Sequence, residues 1–129
     1  MHITNENLDC AIITLFIHNV CNYNCSYCDD YHRDGSERWP TEWEPYIDLI
    51  EKMQKKNKYL YVEVLGGEPT LWPKFQDFVD TISSDTVFVE FSTNASRTLR
   101  YWEKFRTHRA FCFLSWHNEF ADDDHFYEV

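Results

Sequence analysis

The chain has 129 residues, 43% of them hydrophobic and 26% charged, which is enough for one domain with a real core and is not the composition of a disordered segment. Acidic residues outnumber basic ones by 22 to 12, for a formal net charge of -10, so the basic footprint needed to grip a phosphate backbone is missing and direct binding of nucleic acid is not expected. No apolar stretch is long enough to cross a bilayer, and acidic residues precede the first apolar run where an export signal would be basic; the expectation is a cytoplasmic protein with no membrane contact.

In chain order, the first element is an apolar, β-branched run over residues 11–20, read as a buried strand that ends on Cys21. An irregular stretch over 29–40 follows the cysteines, where a functional loop belongs. Thr41-x-x-Glu44 reads as a capping box that opens a helix, with Trp43, Tyr46, Ile47, Ile50 and Met53 on one face. Residues 59–65 form the second strand and run into Gly66-Gly67. Pro73 suits the first turn of a helix carrying Phe75, Phe78, Val79 and Ile82 inward. The third strand is predicted over 86–91, then a helix marked by Leu99, Trp102 and Phe105 with Ser96 as its cap. Residues 110–114 form the fourth strand. Residues 121–129, with Asp122, Asp123 and Asp124 in the first turn, begin a fourth helix.

This alternation predicts an α/β fold of parallel strands joined by right-handed crossovers. The run-like strands predict a sheet covered on at least one face, and more fittingly on both. The unusual residues gather at one edge. Residues 21–28, 66–69, 92–94 and 115–117 each follow the C-terminal end of a predicted strand, the edge that carries the active site in parallel α/β sheets and barrels.

Five cysteines, at 10, 21, 25, 28 and 112, are an odd number in a chain without an export signal, which favours metal ligation or redox chemistry over a disulfide framework. Cys21-x3-Cys25-x2-Cys28 allows three readings. Structural zinc would need a fourth ligand from His18, His32, Cys10 or Cys112. A thioredoxin-like Cys25–Cys28 pair leaves Cys21 without a role. A [4Fe–4S] cluster on three thiolates keeps one iron open to a small molecule. Gly66-Gly67-Glu68-Pro69, one βα unit downstream, has glycines that permit close backbone approach and a carboxylate able to receive an ammonium group.

On these two motifs the chain resembles the radical S-adenosylmethionine (radical SAM) superfamily. The resemblance implies a partial (β/α) barrel, here about four βα units of parallel sheet with helices on the outside. It implies that Cys21, Cys25 and Cys28 ligate a [4Fe–4S] cluster whose fourth iron chelates S-adenosylmethionine. Gly66, Gly67, Glu68 and Pro69 would hold the methionine amino group, and Tyr27 would lie near the adenine. Ser92, Asn94, Ser115 and His117 are the remaining candidates for cofactor contacts, and no catalytic residue is singled out. The implied reaction is reductive cleavage to a 5′-deoxyadenosyl radical that abstracts hydrogen from an unidentified substrate, a peptide or a small molecule. An electron donor such as a flavodoxin or ferredoxin is implied as a partner. The alternative is a non-catalytic iron–sulfur or zinc binding module.

The family core has six βα units. Residues 1–129 therefore read as one core domain incomplete at its C-terminal side, completed by further chain, a partner chain or a second copy. Cys10 and Cys112 are too few for an auxiliary cluster, and Cys112, among Phe111, Phe113 and Leu114, is expected as a buried core thiol.

Overall fold

A computed structural model describes residues 9–105 and 110–129. Four strands, β1 (Cys10–Phe16), β2 (Tyr59–Leu65), β3 (Val87–Thr93) and β4 (Ala110–Leu114), lie side by side in chain order, and every neighbouring pair is parallel. Helices α1 (Glu44–Gln54), α2 (Phe75–Ile82) and α3 (Leu99–Glu103) occupy the crossovers, and α4 (Asp123–Glu128) follows β4. This is the four-unit parallel α/β arrangement expected from the sequence.

The register assigns the two faces of the sheet. Cys10 pairs with Tyr59, Leu60 with Val87 and Val89 with Ala110. Leu15, Leu60, Val62, Val64, Val87, Val89 and Phe91 therefore share one face, and all are buried in one core with Ile50 of α1 and Phe75, Phe78, Val79 and Ile82 of α2. The opposite face, with Ile12, Thr14, Tyr61, Glu63, Phe88 and Glu90, is exposed or half-buried. Burial alternates residue by residue along β2 and β3, so the expectation of a sheet covered on both faces is corrected. Tyr61 and Phe88 made the strands look like continuous apolar runs, but among the described residues the helices cover one face only.

Helix starts also shift. α1 begins at Glu44 behind Trp43, which makes no side-chain cap. A start at Thr41 would have put Pro45 in the second turn, where its ring meets a carbonyl of the preceding turn, whereas at the first turn its missing N–H costs nothing. The predicted face holds: Ile50 is buried, and Trp43, Tyr46, Ile47 and Met53 pack against the core. α2 begins at Phe75 after a 3-10 turn over Pro69–Leu71. α3 starts behind Thr98 rather than Ser96, because the Ser96 hydroxyl accepts from Asn22 Nδ2 at 2.9 Å. α4 starts after Asp122, whose carboxylate accepts from the His125 N–H at 2.8 Å.

Two strand ends matter for function. β1 stops at Phe16, short of the predicted residue 20, yet the chain keeps running beside the end of β2. The Ile17 N–H donates to the Leu65 carbonyl at 3.0 Å, the Gly67 N–H to His18 at 2.9 Å and the Glu68 N–H to Val20 at 2.8 Å. β3 runs past the predicted residue 91, so Ser92 and Thr93 are strand residues. β4, like β1, is an edge strand. Phe111, Cys112, Phe113 and Leu114 are all exposed, which corrects the expectation that Cys112 is a core thiol: its apolar neighbours along the strand do not enclose it, and the buried helix faces lie beneath β2 and β3. No described helix is long and apolar enough to cross a membrane.

Candidate functional site

At the C-terminal ends of the strands lies one open cleft of about 200 Å³, smaller than an ordinary small-molecule site. Its walls include Cys21, Cys25, Cys28, Gly66, Gly67, Glu68, Ser92, Asn94, Ser115 and His117. Ten candidates from four separate stretches of sequence thus meet in one place. Two do not line it. Pro69 is buried in the 3-10 turn behind Glu68. Tyr27 lies at the rim, 59% exposed, with its hydroxyl 2.7 Å from His117 Nδ1. The same His117 nitrogen is 3.5 Å from Cys25 Sγ.

The cysteine loop is held from several sides. The Cys28 N–H donates to the Cys25 carbonyl at 3.2 Å, closing the short turn between two thiols. Arg33 donates through Nη1 to the same carbonyl at 2.6 Å and to Asn24 Oδ1 at 2.7 Å, while its Nη2 pairs with Asp30. Asn22 Oδ1 accepts from Asn94 Nδ2 at 3.0 Å, tying the loop to the end of β3. Glu119, beyond β4, accepts from the Ser26 N–H at 2.9 Å and from the Ser26 hydroxyl. Beneath the loop, buried Asn19 bonds Asp34 and Ser36 through Nδ2 and the Glu37 N–H through Oδ1. These contacts fold residues 34–37 back onto the strand that leads into Cys21. Arg33, Asn19, Asn22, Thr93 and Glu119 escaped the sequence reading because each acts through a partner distant in sequence; the signal for Asn19 was a polar residue inside an otherwise apolar run.

The two glycines are required by this packing. A Cβ on Gly67 would sit 2.4 Å from the Val20 carbonyl oxygen, and one on Gly66 2.7 Å from that of His18. The space they leave is taken up by the chain's own backbone, so residues 66–68 lie edge-on against residues 18–20. Glu68 then reaches across to β3. Its side chain is buried, with Oε1 accepting from the Thr70 N–H (3.1 Å), the Thr70 hydroxyl (2.5 Å) and the Thr93 hydroxyl (2.7 Å), and Oε2 from the Asn94 N–H (2.6 Å). Oε2, with one donor, keeps acceptor capacity. Beyond it the chain turns at Ala95, φ +59°, whose N–H donates to Thr93 Oγ1 at 3.2 Å.

The electrostatics describe a fitting occupant. Burial pushes the Cys21 thiol up from its ordinary pKa, and Glu68, Cys25 and Cys28 push it further. Burial, and then Glu68 and Cys25, do the same to Tyr23. Ionised thiols beside a buried carboxylate repel one another, so the donor set suits a strongly positive centre. Among the described residues no three His, Cys, Asp or Glu side chains close around a single metal ion. Of the proposed fourth zinc ligands, two are remote. Cys10 begins β1, at the far end of the sheet, and Cys112 stands on exposed β4. His18 is buried, its Nδ1 accepting from the Val20 N–H at 3.1 Å and its pKa lowered by burial, with the Pro69 and Val20 backbone opposing that shift; its Nε2 has no hydrogen-bond partner among the described residues. His32 lines the cleft but packs on Phe16 at 5.6 Å. Three thiols spread around one cleft fit a cluster, in which each thiolate meets a different iron.

Comparison with known proteins agrees with this geometry. The family model described as the radical SAM superfamily matches residues 15–115. The mycofactocin maturase of Mycobacterium ulcerans is 37% identical over 95 residues, covering 71% of this chain and 25% of that protein. The 7-carboxy-7-deazaguanine synthase of Clostridium acetobutylicum is 28% identical over 116 residues, or 84% of this chain and 49% of the relative. The GTP 3′,8-cyclase of Haemophilus ducreyi is 32% identical over 78 residues, 55% of this chain and 21% of the relative. The chain thus spans from about a fifth to about a half of the length of these relatives. No solved structure matches it.

Proposed function

The chain belongs to the radical SAM superfamily, and on that premise we propose that it binds a [4Fe–4S] cluster through Cys21, Cys25 and Cys28 and S-adenosylmethionine beside it, as the core of an enzyme acting on an unidentified peptide or small molecule. The observation that carries this reading is the shared cleft, which brings the three thiols together with Gly66, Gly67 and Glu68. When bound, the cluster supplies the electron that cleaves S-adenosylmethionine to methionine and a 5′-deoxyadenosyl radical able to abstract a substrate hydrogen.

The residues divide the remaining tasks. Cys21, Cys25 and Cys28 present sulfur from one short loop, and the positive charge of the irons offsets the cost of ionising thiols that burial disfavours. Glu68 Oε2 and the backbone at Gly66 and Gly67 receive the methionine ammonium. Its position is preset, because Thr70, Thr93 and Asn94 fix the carboxylate before any ligand arrives. Ser92, Asn94, Ser115 and His117 line the same cleft as contacts for the ribose and carboxylate. Tyr27, at the rim, covers the adenine side. The five free cysteines suit a reducing, cytoplasmic compartment, and a flavodoxin or ferredoxin is the proposed reductant.

Anaerobic reconstitution with iron and sulfide tests this. Three to four irons per chain is the expected stoichiometry for one such cluster (about four at full loading), with broad visible absorbance, lost in Cys25→Ala. 5′-Deoxyadenosine should form with dithionite and S-adenosylmethionine. A colourless protein holding one zinc would refute the reading. A loaded cluster with bound cofactor and no 5′-deoxyadenosine would instead identify a non-catalytic binding module.

A further inference from the structure

Arg33 is the one Arg or Lys side chain lining the cleft among the described residues. It stands five residues beyond Cys28, in the irregular stretch over 29–40. Its side chain is 15% exposed, unusually low for an arginine outside a core. One guanidinium bridges three points of the ligand-bearing segment: Asn24 Oδ1, the Cys25 carbonyl and the Asp30 carboxylate. The Cys25 carbonyl also accepts from the Cys28 N–H, so the arginine braces the turn that sets the spacing between the second and third thiols. Nη1, 2.6 Å from the Cys25 carbonyl, places its charge within the ligand-bearing loop.

We propose that Arg33 is a positioning residue for the cluster ligands, which fixes the Cys25–Cys28 turn through its fork of hydrogen bonds and places one positive charge beside the cluster, making the loaded centre easier to reduce. The inference rests on the cluster reading above. Its physics is independent of substrate. A cluster on three thiolates becomes more negative when it accepts an electron, and a fixed cation a short distance away in a partly dry cleft favours the reduced form. Asp30 works against this, but its side chain is 90% exposed and solvated, so water screens it more than it screens the arginine. The two tasks are separable, because lysine carries the charge without the planar fork.

The test compares the reconstituted chain with Arg33→Lys, Arg33→Gln and Asp30→Asn. The readouts are the cluster midpoint potential, from an EPR-monitored redox titration at low ionic strength, and the rate at which a chelator strips iron. Arg33→Gln should move the midpoint to more negative potential and speed iron loss several-fold. Arg33→Lys should hold the midpoint near wild type while still losing iron faster. Asp30→Asn, which removes an exposed carboxylate and leaves the arginine in place, should move the midpoint the opposite way. If Arg33→Gln fails to load, Asp30→Asn still tests the charge and Arg33→Lys the geometry. An Arg33→Gln midpoint that is unchanged or more positive overturns the electrostatic role, as does an Asp30→Asn midpoint that is more negative, and wild-type iron retention in Arg33→Lys overturns the bracing role. A wild-type chain that takes up no cluster overturns the functional reading itself, an outcome distinct from either.

Discussion

Where β2 and β3 meet the cleft, Glu68 is buried and its carboxylate gathers four donors from Thr70, Thr93 and Asn94. Where β4 meets the same cleft, Glu119 gathers two donors from Ser26 in full view of solvent. The residue type and the kind of bond are the same, and the consequences differ. Donors buried around Glu68 have no water to turn to if the carboxylate is lost, while those around Glu119 do. The β2–β3 side is thus a preset wall for a ligand, and the β4 side a closure that can adjust to one.

Substitutions that attack the preset wall should have the largest effects. Gly67→Ala forces a Cβ to within 2.4 Å of the Val20 carbonyl, a backbone contact that cannot rotate away. We expect a loss of about 3 kcal/mol or more in urea unfolding, or no folded protein at all, because overpacking against backbone is the severe form of the error. A Gly67→Ala chain of wild-type stability would mean that the wall is far more pliable than the comparison allows. Glu68→Gln comes next. One amide N–H2 must then face hydroxyl or N–H donors, and the buried mismatch should cost about 2–3 kcal/mol; a smaller change would place Glu68 on the adjustable side.

The third test is pH. Burial lowers the folded pKa of His18 below its ordinary 6.5. The unfolded chain therefore binds a proton first as pH falls, so stability is full above about 6.5 and declines from there toward the folded pKa. In His18→Gln that part of the decline should vanish, which equilibrium unfolding across acid pH would show; an identical pH profile would mean the imidazole titrates as if exposed. The smallest effect belongs to the adjustable side. Glu119→Gln should leave the urea midpoint where it is and speed hydrogen exchange at the Ser26 N–H. The Ser26 bonds hold the Glu119 carboxyl below its ordinary 4.5, so the contact is present above that value and is lost as the group protonates below it. A large fall in global stability in Glu119→Gln would erase the distinction between the two walls.

Much of the frame was legible because period and burial agree. Phe75, Phe78, Val79 and Ile82 recur at helical spacing and are all buried, and the fourth strand falls on its predicted residues. Element ends were less legible, since the side chains that signal them were committed elsewhere. Ser96 looked like a helix cap and instead holds Asn22, and Ser92 and Thr93, expected just past the third strand, instead extend β3, which brings Thr93 into contact with Glu68. The cysteine and glycine motifs identified the site because their spacing is local. Arg33 and Glu119 could not be found that way. The Cys25 carbonyl that Arg33 braces and the Ser26 that Glu119 holds lie 8 and 93 residues away, and only the folded chain brings these pairs together.

The length of the first crossover has a kinetic consequence. β1 pairs with a strand 49 residues further on, as Thr14 and Glu63 show, whereas β2 finds β3 at little more than half that separation. Doubling a closing loop costs only about 0.6 kcal/mol, so the bias is mild, but it favours docking of β1 after the rest of the sheet. As the chain emerges from the ribosome, its three sulfurs are made early and enclosed late. That interval is one in which an iron donor, or an oxidant, can reach them. Pulsed hydrogen exchange during refolding should find β3 amides protected before those of β1; the reverse order would remove the interval.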